Sequence, residues 1–332
     1  MDPGSILLVS SATASSLLMI YTASRSRPRR GRRLLGAPLE GFKPLARPSL
    51  DKTFRVQEEL LPGYEGEWRC GLLGCGGWGC TYLCTQDSVE AAFKVPNRRE
   101  YREMIETSIP PTILEAEKAM EDVAREAEAI GGLRHPHLLR LLAYSRHVPL
   151  LVYEYADMGT LAHQQGQGWS PRPGDVALIG YQLADALRYI HSRGLIHGDI
   201  KPSNVLISQG VVKLGDFSSI SSLLGKFSIT GIRSTPGWRA PEQVYSDLRR
   251  LSAERGLENR IDVYQLGNLL LYLETGATLD GEHASTRKRQ EVLKRIRDRE
   301  LRGIVQAMLE PDPARRLSSE EAARLLGELV GA

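Results

Sequence analysis

Cysteine is scarce in this chain and confined to one place. Four residues, Cys70, Cys75, Cys80 and Cys84, are all the chain of 332 contains, and they fall in one glycine-rich stretch. That argues against a secreted protein built on disulfides. The spacing C-x4-C-x4-C-x3-C also lacks the closely paired ligands from which zinc sites start. The plain reading is small apolar residues on two adjacent strands. Net charge is scarce too, at +3, and most of it is at the start: residues 1–33 hold six arginines against one aspartate, so the remainder is slightly acidic. The body therefore lacks the basic face of a nucleic-acid binder, and no nucleic-acid partner is expected. Long hydrophobic runs are missing as well. Ile6 to Ala23 carries no charge, but it has only 18 residues and six are Ser or Thr. A spanning helix needs about 20 residues.

The arginines of "RSRPRRGRR", at 25–33, follow that run, and only Asp2 precedes it. A cleaved signal peptide carries its positive charge first. Arginines beside a span favour the cytoplasmic side. One reading is thus an N-terminal anchor at 6–23, contacting a membrane through 6–33, with a cytoplasmic domain held at the inner face. The other is a disordered basic leader, or a start codon assigned too early.

Residues 34–66 are rich in Pro and Gly without clear periodicity and read as a linker or irregular lead-in. The texture changes near 67. "EWRCGLLGCGGWGCTYLC" reads as two strands around a glycine turn, and "VEAAFKVP" as a third. Apolar residues at 116, 119, 120, 123, 127 and 130 mark a helix over Ile113 to Ile130, stopped by Gly131 and Gly132. "LLRLLAY" and "PLLVYEY" read as further strands. After Gly159 the chain turns helical. Val176, Ile179, Leu183, Leu187 and Ile190 stripe one helix, and "VYQLGNLLLYLETG" is apolar on nearly all sides, a buried helix. There is no internal repeat. The expectation is an α+β, two-lobed protein, with a β-rich lobe carrying one main helix at 67–156 and a mainly helical lobe at 157–330.

Several polar groups stand where plain packing does not want them. Gly74, Gly76 and Gly79 form G-x-G-x-x-G, followed by strand residues rather than a helix. That context favours a hairpin over phosphates rather than a dinucleotide fold. Lys94 lies within an apolar strand, and Glu126 on the stripe side of the helix. Each is costly alone and the obvious partner of the other. "HGDIKPSNVL", from His197, reads as a loop at the mouth of a strand, with Pro202 excluding a regular helix. Asp199 can orient an attacking hydroxyl or take its proton, and Lys201 can neutralise phosphoryl oxygens. Asn204 and Asp216, in "KLGDFSS", offer oxygen ligands to a hard cation. Phosphoryl transfer needs this kind of positioning and charge neutralisation.

On these motifs the chain from about 67 to 328 resembles the eukaryotic-type (Hanks-type) serine/threonine protein kinases, in a divergent form of the archaeal or bacterial kind. The resemblance implies a bilobal kinase fold and transfer of the γ-phosphoryl group of ATP, with Mg2+ or Mn2+, to Ser or Thr hydroxyls of proteins. It makes Asp199 the base, puts Lys201 on the γ-phosphate and Asn204 and Asp216 on metal, and pairs Lys94, on the α- and β-phosphates, with Glu126. Gly74, Gly76, Gly79, Ala92, Glu154 and Ala156 would bind ATP, the last two from the hinge beside the gatekeeper Tyr153. Nucleotide would sit between the lobes. "TPGWRAPE" matches the substrate-binding segment, with Arg316 as partner of Glu242. Asp262 would brace the catalytic loop, and Ile130, Leu141, His197 and Phe217 would form a supporting stack.

There are departures. Gly198 replaces the arginine that binds a phosphorylated activation loop. Ser218 replaces the glycine of Asp-Phe-Gly and lacks its freedom at positive φ. Thr81 replaces an adenine-packing valine, and the stretch between Lys94 and Glu126 is about a dozen residues longer than usual. Ser228, Thr230 and Ser234 are candidates for autophosphorylation. His-Gly-Asp also occurs in aminoglycoside and choline phosphotransferases, which usually lack the Ala-Pro-Glu found here at 240–242. A pseudokinase scaffold is the third reading, but such proteins usually lose an equivalent of Lys94, Asp199 or Asp216.

Overall fold

Alternation along short strands builds the first part of the structure. The computed structural model describes residues 36–76, 79–96, 113–222, 235–283 and 286–332. The run at 6–23, its arginine flank, residues 97–112 and the three candidate phosphorylation sites lie outside them. The described chain divides into two units. One holds Arg47–Gly132 and Arg140–Tyr155; the other holds Leu133–Leu139, Ala156–Ala332 and the residues up to Ala46.

In the first unit, β1 (Lys52–Val56), β2 (Gly66–Cys75), β3 (Gly79–Gln86), β4 (Val89–Pro96), β5 (Leu141–Tyr144) and β6 (Leu151–Glu154) form one sheet. Its order is β1-β2-β3-β4-β6-β5, and every pairing is antiparallel. Trp68 and Cys70 turn inward from β2 while Glu67 and Arg69 face water. Trp68 and Phe54 both meet the ring of Phe93, at centroid distances of 5.1 and 5.9 Å. Helix α1 (Ile113–Ile130) buries Ala119, Val123, Ala127 and Ile130 of its apolar stripe, with Met120 half-buried.

Two features depart from the sequence reading. The lead-in at 34–66 is not irregular throughout, since Lys52–Val56 pairs in full with β2. The cysteines lie on two adjacent strands as read, but they do more than fill space there: Cys70 is bonded to Cys84 and Cys75 to Cys80. On β2 the two cysteines are five positions apart, on β3 four, so a regular ladder would oppose only one pair. A register shift between Leu72 and Gly74 absorbs the extra residue and brings both pairs directly opposite. The spacing that matches no zinc motif is thus the signature of a bulged hairpin.

The second unit is mainly helical: α2 (Leu161–Gly166), α3 (Asp175–His191), α4 (Pro241–Val244), α5 (Ser246–Glu254), α6 (Arg260–Thr275), α7 (Thr286–Leu293), α8 (Arg299–Met308) and α9 (Ser319–Val330). Two short ribbons accompany them. β7 (Leu195–Ile196) pairs with β10 (Ser221–Ser222), and β8 (Val205–Ser208) with β9 (Val211–Leu214). Local chemistry sets the ends. Asp298 caps α8, Ser318 and Glu321 form a capping box on α9, and Gly276 closes α6 in the left-handed conformation. The chain before Ala46 lies along this unit. Leu39 N–H donates to the Gly210 carbonyl (2.8 Å), Leu45 N–H to that of Asp157 (2.8 Å), and Gln164 bonds both the N–H and the carbonyl of Lys43. Among the described residues no helix is long and apolar enough to cross a membrane.

Helix α6 runs through this core with Val263, Leu266, Leu269 and Leu270 all buried. At Gly267 its backbone comes so close to the end of α8 that an added Cβ would lie 2.8 Å from Met308 Cβ. Gly267→Val should therefore destabilise the protein by about 1–3 kcal/mol through overpacking, read as a lower denaturation midpoint.

Candidate active site

The loop from His197 to Asn204 leaves β7 and is gripped from below by α6. Asp262, fully buried, accepts hydrogen bonds from the N–H groups of His197 (2.9 Å) and Gly198 (2.7 Å) and from His191 Nε2 (2.8 Å). One turn on, Gln265 accepts from Ile200 N–H (2.8 Å) and donates to the Gly198 carbonyl (2.9 Å). Asn268, a further turn along, donates to the Gly237 carbonyl (3.0 Å), and Asp280 accepts from Gly237 N–H and from Arg239. Polar residues at i, i+3 and i+6 share one side of a helix. This side holds both the His197 loop and the Pro236–Trp238 turn.

Gly198 stands at φ +82, a conformation that suits glycine rather than an arginine. His197 is fully buried; its Nδ1 accepts from Asp199 N–H (3.3 Å) and its Nε2 bonds the Gly215 carbonyl (3.0 Å), which puts the ring proton on Nε2. Its ring packs on Phe217, centroids 5.3 Å apart.

The acceptor and donor groups then converge. Lys201 Nζ donates to Asp199 Oδ2 (2.8 Å) and to Thr235 Oγ1 (2.5 Å), and the Thr235 hydroxyl donates to Asp199 Oδ1 (2.8 Å). Asn204 Nδ2 donates to the Asp199 carbonyl (2.7 Å) and to Oδ2 (3.1 Å). Its amide nitrogen is thus occupied, and Oδ1 is the end turned to other partners. Gly215 N–H donates to the Asn204 carbonyl (2.9 Å), tying the Asp216 segment to this loop. The positive φ of that segment falls on Asp216 (+56), not on Ser218, which lies in the 3-10 turn Phe217–Ser219. Serine there carries no backbone conflict. Beside the cluster opens a cavity of about 540 Å3, lined by Lys201, Ser203, Gln165, Ala162, Trp238 and Tyr272, among others. Glu242 and Arg316 form a buried two-pronged pair at 2.5 and 2.9 Å.

In the first unit, Lys94 Nζ lies 3.3 Å from Glu126 Oε1, and both side chains are buried. The Tyr153 hydroxyl donates to the same oxygen. Glu126 Oε2 is buried and has no hydrogen-bond partner among the described residues. Ala92 lies opposite Tyr153 in the β4–β6 pairing, and Glu154 gives its N–H to the Arg140 carbonyl (3.0 Å). In the hairpin, Gly76 N–H donates to the Gly79 carbonyl (2.8 Å). Among the described residues, a Cβ on Gly79 would strike the Val95 carbonyl at 2.4 Å, whereas one on Gly74 would meet nothing within 4 Å and one on Gly76 the Gly79 carbonyl at 3.9 Å. Packing explains Gly79 alone.

A model of the protein kinase domain matches residues 69–325. The chain belongs to the protein kinase domain family. It is similar to mitogen-activated protein kinase kinase kinase A of Dictyostelium discoideum, 27% identical over 233 residues, 69% of this chain and 23% of that protein. It is 28% identical over 262 residues to the serine/threonine-protein kinase fused of Drosophila melanogaster, covering 74% of this chain and 29% of that one. A probable inactive receptor kinase of Arabidopsis thaliana is 33% identical over 235 residues, 68% of this chain and 31% of the relative. The chain thus spans less than a third of the length of each. Protein kinase domains in general use ATP and a divalent cation.

Thr235, Gln265 and His191 escaped the sequence reading. Thr235 had one signal, its place at the head of "TPGWRAPE". Gln265 and Asn268 had another: with Asp262 they make D-x-x-Q-x-x-N inside an apolar helix, and buried polar groups demand partners.

Burial pushes the Asp262 carboxyl up, but the hydrogen bond and charge of His191 and the Gly198 N–H outweigh it, so it titrates below the ordinary aspartate value of 3.8. A depressed pKa stabilises the fold above that value, and the contribution is lost as pH falls through the folded one. Asp262→Asn should cost roughly 3 kcal/mol at pH 7, and the gap from wild type should shrink below about pH 4. Urea denaturation of both proteins at pH 7 and at pH 3 measures it.

Proposed function

We propose that this chain is an ATP- and magnesium-dependent protein kinase that transfers the γ-phosphoryl group to Ser or Thr hydroxyls of protein substrates, itself among them. The observation that carries this is the Asp199–Lys201–Thr235–Asn204 cluster. It presents a carboxylate and a cation, on a loop that buried groups hold in place, with the Thr235 hydroxyl brought to them from a second segment. The substrate hydroxyl oxygen attacks the γ-phosphorus while its proton passes to Asp199, and the bond from the γ-phosphorus to the bridging oxygen of ADP breaks. Lys201 neutralises the transferring oxygens. Thr235 steadies both side chains by accepting from one and donating to the other.

The donor set supports a hard cation: the carboxylate of Asp216 and Oδ1 of Asn204, whose amide nitrogen Asp199 holds. These residues would hold Mg2+ or Mn2+, which supplies charge neutralisation for the phosphates when bound. Lys94, fixed by Glu126, serves the α- and β-phosphates. Gly74 and Gly76, which contacts among the described residues leave unexplained, give the phosphates room. Ala92, Glu154 and Ala156 serve adenine. A substrate chain across the cavity beside Lys201 meets the Trp238 and Tyr272 rings and the Gln165 amide. Attachment of the domain to the inner face of a membrane through 6–33 belongs to the same proposal.

Labelled ATP with a mixed protein substrate tests the activity on the full chain. Asp199→Asn should lower transfer by roughly 10²–10⁴-fold with nucleotide binding kept. Transfer by that variant at the wild-type rate would remove the assignment. Labelling of choline or an aminoglycoside but never protein would make the enzyme a small-molecule kinase, and binding without transfer would make it a scaffold. A second expectation concerns the buried pair, which leaves Glu126 Oε2 unsatisfied. Such pairs add little stability over apolar residues of like size. Lys94→Met with Glu126→Leu and Tyr153→Phe, which also removes the hydroxyl that donates to Glu126, should keep or raise the denaturation midpoint and abolish transfer.

A further inference from the structure

The two disulfides of the hairpin differ in setting. Cys70 and Cys84 are both 1% exposed and belong to the core that contains Trp68 and Phe93. Cys80 is fully buried, but its partner Cys75 is exposed. A reductant in solution can therefore reach one disulfide, through Cys75. That disulfide joins the last paired positions of β2 and β3, with Cα atoms 4.0 Å apart, and the four residues it encloses are 76–79. Three of these four are glycine. Glycine loses more backbone freedom on ordering than any other residue. A loop of this composition is costly to hold still, and a covalent pin at its base removes part of that cost before a ligand arrives.

We propose that Cys75–Cys80 is a reversible thiol–disulfide site that sets the hairpin's affinity for nucleotide. Joined, it keeps Cys75 opposite Cys80 and the Gly76 N–H on the Gly79 carbonyl; opened by a dithiol, it lets these two strand ends part and weakens binding. This rests on the reading of the hairpin as a phosphate cradle. The chemistry balances within the pair and its reductant. A dithiol thiolate attacks Cys75 Sγ, forming a mixed disulfide and expelling the Cys80 thiolate. The second thiol of the reductant displaces Cys75, the reductant closes to a cyclic disulfide, and two electrons and two protons pass to the cysteines. The buried Cys70–Cys84 bond stays closed and keeps the strands in register, so opening the outer bond does not unfold the sheet.

The test uses the full chain purified without reductant, then titrated with dithiothreitol. At each step free cysteines are alkylated and located by mass spectrometry, and the Kd of a fluorescent ATP analogue with magnesium is measured. Cys75 and Cys80 should become labelled before Cys70 and Cys84. The Kd should rise in step with that labelling by roughly fivefold or more, the scale of ordering one further residue. Cys75→Ser with Cys80→Ser should show the weaker Kd with or without dithiothreitol, and circular dichroism checks that this variant is folded. Labelling of the pair with no change in Kd would overturn the proposal while leaving the kinase reading intact, as would labelling of the inner pair first. No nucleotide binding in either redox state would remove the kinase reading along with it.

Discussion

The structure of the second unit depends on three polar side chains that a buried helix cannot leave unmatched. Asp262, Gln265 and Asn268 are all fully buried on α6. An unpaired carboxylate there would be prohibitively unfavourable, and an unpaired amide costs about 1–3 kcal/mol. The backbone of two loops meets them: Gly198 N–H and carbonyl, His197 and Ile200 N–H, and the Gly237 carbonyl. The helix needs the loops as much as the loops need the helix. An irregular segment thereby acquires the rigidity of a core element, which the alignment of Asp199, Lys201 and Thr235 requires.

That arrangement also accounts for the unusual glycine at 198. Its N–H and carbonyl both point at α6 side chains, and its φ of +82 is one that a residue with a Cβ adopts only with strain. Glycine takes that φ without a Cβ conflict while its N–H meets Asp262 and its carbonyl meets Gln265. In the first unit the balance tips the other way. Lys94 and Glu126 are buried together, Tyr153 adds a third polar group, and one oxygen of Glu126 is still unsatisfied. An apolar trio would pack there at least as well, so stability does not explain the pair.

Much of this was legible in the linear chain, for identifiable reasons. Helix α1 follows from its stripe because helical packing repeats every three to four residues. The hairpin around the glycines follows from strand residues on both flanks. Lys94 and Glu126 stand out because each is charged where its neighbours are apolar. The lead-in was less legible. Lys52–Val56 is an edge strand of five residues among prolines and glycines, and its register comes from β2, not from its own pattern.

The sequence by itself determined the change from a strand-rich part with one helix to a helical part, the polar residues that do not fit an apolar setting and, through motifs in sequence order, the kinase family. Those signals are local, carried by periodicity, turn chemistry and short spacings. Only the tertiary structure decided that Thr235 joins Asp199 and Lys201, that Asp216 rather than Ser218 takes the left-handed turn, and that a one-residue bulge brings both cysteine pairs face to face. Each of these depends on groups distant in sequence or on a shift in register between strands. Neither kind of information resides in a residue or its near neighbours, because it is set by how the backbones pack.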